Sequence, residues 1–475
     1  MNDVMKIPML IDGAWVEGVR HVEVRDPFRG TVCSLAPLST PADLDQALDA
    51  AVRARGTIAA MPGYERAALL RRAGARLGER IEAIAAVMSR ETGKAIADSR
   101  AELKRSRETI ELAAEEAIRI EGEHVPLDGS AMGAGKIAML LRFPVGVIGA
   151  ITPFNAPFNL ACHKVAPAIA AGNAIVLKAP PQAPGTVHAL AEIFAGAGTP
   201  AGVLNMLYGD VGPALVRDRR IDFVTFTGSS RVGAEIKAAS GLRRVALELG
   251  GAGQTIVHLD ADIAAAAQAC ARNSMRLAGQ SCISVQAVHV HRAVLPRFTD
   301  ELVAAVKRLR LGDPLAEDTD IGTLIDEAAA SRVEAWVGQA VAAGARVLTG
   351  GRRDGAAYAP TVLTGVDPSM KVVCEEVFGP VVSVLPYDDF GTVCDAVSAS
   401  RFGLQCGVFT ASLDLAMQAV RRIRTGGVII NGTSTWRTDQ LPYGGVKDSG
   451  IGREGPRYAI RDMTEERLVV FNIGA

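Results

Sequence analysis

Three side chains spread along this 475-residue chain stand out for the chemistry they could perform. Cys282 closes the stretch "GQSC" (279–282), where a helix-like run stops at Gly279 and a strand-like run begins. A thiol held in such a turn is open to a reagent. Cys270, inside "AAAAQACARN", reads instead as inert core. A small buried hydrophobe is the commonest fate of a free cysteine, and that reading stays open for Cys282 as well. Glu248 lies in "LELGG" at the end of a strand-like run, just before two glycines. A carboxylate placed there is costly unless it is solvated, paired or working. Asn155 lies in "TPFNAPFN" (152–159), between prolines that fix the backbone. Its amide could donate to a developing oxyanion. Taken singly, Glu248 reads as a surface charge and Asn155 as a turn residue. For all three to be incidental, three placements at element ends would have to coincide.

A fourth stretch could bind an anion. "FVTFTGSSRVG" ends a strand at Thr227-Gly228-Ser229 and opens a helix near Arg231-Val232-Gly233. A serine cap and free amides at a helix N-terminus suit a pyrophosphate. Gly228 would admit it close to the backbone. A plain strand-to-helix turn explains the same residues equally well. "GIGREG" (450–455) also fits a dinucleotide-loop pattern, but it follows no strand-like run, so it reads as a glycine-rich loop.

These residues need elements to hold them. Residues 41–120 carry apolar positions at helical spacing. From 145 onward, short apolar runs such as "VGVIGAIT", "AIVLKA" and "VALELGG" alternate with helix-like stretches. That pattern predicts a parallel sheet covered on both faces, with ligands at the carboxyl ends of its strands. A second alternating region runs on to "TGGVIIN" near 430. The hairpin-like segment 123–144 and the tail "EERLVVFNIGA" fit neither sheet, and they could extend a sheet across a subunit boundary.

Composition narrows the class. The 51 Lys plus Arg nearly cancel the 52 Asp plus Glu, so no basic field points to nucleic acid or an anionic membrane. No apolar run approaches the roughly 18 residues of a membrane span. The N-terminus lacks a signal-peptide layout. Seven dispersed cysteines without a CxxC argue against a disulfide framework or a metal site. A cytoplasmic enzyme is expected.

In the order and spacing of "TPFNAPFN", "AGNAIVLKAP", "FTGSSRVG", "LELGG", "GQSC", "EEVFGP" and "PYGGVKDSGIGREG", the chain resembles the aldehyde dehydrogenase superfamily over nearly its whole length. The resemblance implies an α/β fold: a Rossmann-like parallel-sheet cofactor domain (1–122 and 145–250), an α/β catalytic domain (251–445) and a small β oligomerisation extension (123–144 and 455–475), in a homodimer or homotetramer. It implies NAD(P)-dependent oxidation of an aldehyde to the acid, with Cys282 as nucleophile, Asn155 as oxyanion donor and Glu248 as base. The cofactor would meet Thr152, Phe154, Lys178, Gly228, Ser229, Gly233, Glu376 and Phe378. Phe158 would lie on the substrate side. Pro181 stands where NAD-preferring members often carry glutamate, which leaves NAD against NADP open. The alternatives are a CoA-acylating relative, which needs no hydrolytic base, and a cysteine-dependent esterase or acyltransferase without nicotinamide.

The flavour is nearest the lactaldehyde and phosphonoacetaldehyde branch, and one helix hints at an anionic substrate end. Placing Arg107 between Leu103 and Ile110 completes a stripe that continues through Ala114 and Ala117, with Arg105 roughly opposite. An inward Arg107 would seek an anion, either substrate or an internal glutamate. Arg437 is a second candidate anchor.

Overall fold

The computed structural model describes residues 4–473. Residues 1–3 of the expected first domain and 474–475 of the expected tail lie outside the described residues. No helix among the described residues is long and apolar enough to cross a membrane.

Two large sheets organise the molecule. The first has eight strands, five of them parallel and central, in the spatial order Arg244–Glu248, Phe223–Thr227, Val147–Ile151, Ala174–Lys178, Leu204–Leu207. The chain enters at Val147–Ile151, builds outward on one side, and then returns to build on the other. The strand order therefore reverses between Val147–Ile151 and Phe223–Thr227, and a crevice opens beyond their carboxyl ends. These strands are almost wholly buried, as expected of a sheet covered on both faces. Its edges are closed by antiparallel pieces from both ends of the chain, Met9–Ile11 with Ala14–Val16 on one side and Gly450–Ile451 on the other.

The second sheet has seven strands, all drawn from within 253–430, and only Arg346–Thr349 runs antiparallel to its neighbour. Strand Val285–His291 lies at its centre. A third, antiparallel sheet joins Glu123–Val125, Lys136–Pro144 and Thr464–Asn472.

Residues 41–117 form three helices, Pro41–Ala60, Gly63–Thr92 and Ile96–Ala117. A capping box starts the first: Asp43 N donates to Thr40 Oγ1 at 3.2 Å, while Thr40 N donates to Asp43 at 2.7 Å. Helix Ile96–Ala117 packs on helix Pro157–Ala170, and Glu102 joins them. Its Oε1 accepts the Phe158 and Asn159 amides at 3.0 Å each, and Oε2 meets the ammonium of Lys94. A carboxylate thus seats the N-terminus of helix Pro157–Ala170 and fixes the loop carrying Asn155.

The "GIGREG" stretch supplies edge strand Gly450–Ile451 and the turn before helix Pro456–Asp462. It is not a free loop throughout.

Candidate active site

Cys282, Asn155 and Tyr443 line one cavity of about 620 Å³ between the two sheets. Asn155 comes from beyond the first sheet and Cys282 from the entry to the central strand of the second. Helix Ile263–Met275 ends before Gly279, earlier than the sequence suggests. Three consecutive residues, Leu277, Ala278 and Gly279, then take positive φ of 56°, 51° and 69°. Two of them carry side chains, and each such residue costs roughly 1–2 kcal/mol. This left-handed turn brings the thiol round to the cavity. A Cβ at Gly279 would lie 2.0 Å from the Gly379 carbonyl, so only glycine fits there.

The Cys282 Sγ lies 3.2 Å from the Tyr443 hydroxyl. Burial pushes the thiol up to about 12; Tyr443 opposes this, and the charges of Glu376 and Glu248 add to it. Glu248 ends strand Arg244–Glu248, is 5% exposed, and has a buried Oε2 without a hydrogen-bond partner. Burial and then the neighbouring charge of Glu454 hold its carboxyl well above the usual range, against Lys164 and Arg437. Such a carboxyl is poised to take up a proton. Gly444 makes room for it, since a Cβ there would lie 2.8 Å from Glu248 Oε1.

Behind these groups lies a buried ionic network. Lys164 Nζ meets Glu454 Oε1 at 2.6 Å, and Arg437 meets Glu454 Oε2 at 3.0 Å. Asp439 receives Arg105 through two nitrogens, together with His163 at 3.2 Å. Burial opposes ionisation at both carboxylates. Even so, Lys164, His163 and Arg437 hold Glu454, and His163 and Arg105 hold Asp439, well below the usual carboxylate range.

Two further cavities flank the N-terminus of helix Ser230–Ser240. One, of about 470 Å³, sits at the strand-order reversal and is lined by Thr152, Lys178 and Gly228. The other, of about 550 Å³, is lined by Ser229, Gly233 and Glu376. Ser229 caps the helix by accepting from Val232 N. Thr152 Oγ1 is buried without a partner. Glu376 accepts from Gly251 N at 3.1 Å, and burial pushes its carboxyl up to about 7. Phe154 and Phe378 meet edge to face with ring centroids 6.0 Å apart. An unpaired hydroxyl, a cation at Lys178 and a capped helix start suit a dinucleotide spread across both cavities. Pro181 is absent from the lining, which includes Lys178, Arg217, Asp210 and Glu235.

Two substrate-side expectations need correction. Arg107 does not face the cavity: its side chain is 52% exposed and sits 3.9 Å from Glu111. Arg105, placed opposite by the sequence reading, is the arginine of this helix that lines the cavity. The apolar stripe misled because this helix buries polar residues. Ser106, not Arg107, fills that turn and is fully buried, as is Thr109. The face marked by Glu102, Arg105 and Thr109, at steps of three and four, was the available signal. Phe158 is also fully buried, in the core of the first sheet and away from the cavity lining. Arg437 does line the cavity. Sequence reasoning missed Arg276, six residues before the thiol and on the cavity wall, and Tyr443. Among the described residues no cluster of His, Cys, Asp and Glu is placed to hold a metal ion.

Known proteins resemble this chain over nearly its whole length. The model of the "Aldehyde dehydrogenase family" matches residues 15–469. A 3-sulfolactaldehyde dehydrogenase of Priestia megaterium is 43% identical over 477 residues, covering 100% of this chain and 99% of the relative. The crystal structure of aldehyde dehydrogenase 21 from Physcomitrella patens, in complex with the reaction product succinate, is similar at TM-score 0.96 and 39% identity, covering 99% of each chain. An NAD-dependent aldehyde dehydrogenase from Sinorhizobium meliloti is similar at TM-score 0.96 and 35% identity, covering 100% of this chain and 96% of that one. An NADP-dependent glyceraldehyde-3-phosphate dehydrogenase from Bacillus halodurans C-125, complexed with NADP, is similar at TM-score 0.96 and 32% identity, covering 99% and 100%.

Proposed function

The chain belongs to the aldehyde dehydrogenase family, and on that premise we propose that it oxidises a small aldehyde whose far end carries an anionic group such as sulfonate or carboxylate. Its reaction is the NAD(P)-dependent conversion of an aldehyde to the carboxylic acid.

In our reading, the Cys282 thiolate adds to the aldehyde carbon and forms a thiohemiacetal. The oxyanion is held by the Asn155 amide and the Cys282 backbone N–H. A bound NAD or NADP would supply the hydride acceptor for this oxidation. Thr152, Lys178, Gly228, Ser229 and Gly233 would hold its phosphate and adenosine portion, and Glu376, Phe154 and Phe378 would hold the nicotinamide end. The thioester left on Cys282 is hydrolysed by water that Glu248 deprotonates. A buried carboxyl with one free oxygen supports hydrolysis over transfer to CoA. The eight-stranded sheet serves as the cofactor half and the seven-stranded sheet as the catalytic half. The third sheet, with Leu468, Val470 and Phe471 exposed on its edge strand, serves assembly into a dimer or tetramer. Seven unpaired cysteines suit the reducing cytoplasm.

One observation carries the substrate proposal: the cavity that holds the thiol has two arginines with partly exposed side chains, Arg105 held by Asp439 and Arg276 held by Asp98. Arg105 is 35% exposed, and Arg276, 2.7 Å from Asp98, is 47% exposed. Lys94 and Arg437, on the same wall, are 4% and 6% exposed and face Glu102 and Glu454. The test is a panel of aldehydes of equal length ending in sulfonate, carboxylate or a neutral group. Arg276→Gln should lower kcat/KM for the anionic members by about tenfold to a hundredfold, the value of one charge-assisted pair, and leave the neutral ones within about threefold. Equal losses across the panel would refute the anionic end.

A further inference from the structure

Tyr443 is separated from Cys282 by 161 positions, yet its hydroxyl is 3.2 Å from the sulfur. It is the one group among the described residues within hydrogen-bond distance of that thiol. The ring is fixed from three sides. Its residue is 4% exposed. Its backbone exchanges two hydrogen bonds with Glu454, at 3.1 and 2.6 Å. The guanidinium carbon of Arg437 stacks 3.7 Å from the ring centroid. Arg437 is itself anchored on Glu454, and Glu454 on Lys164. A rigid relay thus runs from a buried ion pair through an aromatic ring to the nucleophile.

We propose that Tyr443 is a catalytic residue whose hydroxyl donates a hydrogen bond to the Cys282 thiolate and so governs how readily that thiolate forms. The proposal rests on the reading of Cys282 as nucleophile. The thiol sits among groups that oppose its ionisation, because burial and the carboxylates of Glu376 and Glu248 all favour the neutral form. A donor aimed at sulfur favours the anion, which is the better acceptor. Burial, with the charge of Cys282, keeps the phenol protonated well beyond its ordinary range, so Tyr443 remains a donor. The cation over its ring polarises the O–H bond further. On ionisation the thiol proton leaves to solvent through the cavity, and the phenol keeps its own. Once sulfur bonds to the aldehyde carbon it becomes a neutral thioether and a poor acceptor, so the donor's support is concentrated on the state that attacks.

The experiment is the pH dependence of iodoacetamide alkylation, with the labelled residue identified by mass spectrometry, in the wild type and two variants of confirmed thermal stability. Tyr443→Phe removes only the oxygen. The thiolate fraction at a given pH should fall about tenfold, a shift of about one pH unit upward. Because a more basic thiolate is intrinsically more reactive, the alkylation rate below the apparent pKa should fall about threefold rather than tenfold. A ring-fluorinated tyrosine at 443, a stronger donor of nearly the same shape, should move the profile in the opposite direction. A merely structural role predicts no such reversal. Label on Cys282 with profiles that coincide, or that shift the same way in both variants, overturns the proposal alone. Label that lands elsewhere in the wild type overturns the nucleophile assignment, and the proposal with it.

Discussion

Replacing Glu102 by glutamine tests the joint that aims Asn155. One carboxylate accepts two amide N–H groups at 3.0 Å and faces Lys94, and the side chains of the pair are 7% and 4% exposed. Glutamine keeps an oxygen for the amides but turns an NH2 donor toward the Lys94 ammonium. Breaking a buried pair by removing one partner costs about 3–5 kcal/mol. Loss of the anion at the start of helix Pro157–Ala170 adds about 0.3–1 kcal/mol. Lys94→Met should cost less, because the carboxylate keeps its two amides. The double variant should therefore be more stable than the sum of the single losses implies, by about 2 kcal/mol. A chain of this size is not expected to unfold in one step. The suitable assay is native-state hydrogen exchange of the amides in helix Pro157–Ala170, in all four proteins of the cycle. Glu102→Gln should also lower kcat by tenfold or more, since a shift of about 1 Å in a positioned group can cost 100-fold. Single losses that add to within about 0.5 kcal/mol would show that the two side chains do not act together, and unchanged exchange in Glu102→Gln would refute the joint itself.

Glu248→Gln should release one reduced nicotinamide per active site in a rapid burst and then stall, with steady-state turnover lower by about 10²–10⁴; a stopped-flow trace without the burst, or with full turnover, contradicts the role. Glu376, pushed up to about 7 by burial, should make cofactor affinity rise with pH through that region, and Glu376→Gln should flatten the dependence in a fluorescence titration. Asp439 and Glu454 have folded-state values below the ordinary carboxylate range. Their contribution to stability should be complete above roughly pH 4.5 and decline as the medium is acidified below that. Scanning calorimetry of Asp439→Asn against the wild type should show a gap in Tm that narrows between pH 5 and pH 3.

The parallel sheets were legible because buried strands are short apolar runs bounded by turns, and Val147–Ile151, Ala174–Lys178 and Phe223–Thr227 are of that kind. Element ends were legible too. Cys282, Glu248 and Asn155 each follow or close a periodic run, and the chemistry such types could perform limited the choices. Helix phase was harder to read. Between Leu103 and Ile110 a step of three or four admits either Ser106 or Arg107, and tertiary packing chose the serine. The Tyr443 contact left no local trace, because it depends on how two sheets meet. Arg276 had a weak signal, its closeness in sequence to the thiol, but the left-handed turn that separates the two runs through Leu277 and Ala278, which no propensity favours there.

The short strand Gly450–Ile451 lies on the far edge of the first sheet although the chain has just left the second. The two halves are therefore laced together by a returning thread, not merely joined at Gly250–Gly251. A protease nick at that junction would not set the halves apart. Neither half could be expressed as an autonomous unit by cutting there, and a truncation between residues 431 and 449 would strip an edge strand from the first sheet while leaving every strand of the cysteine's own sheet in place.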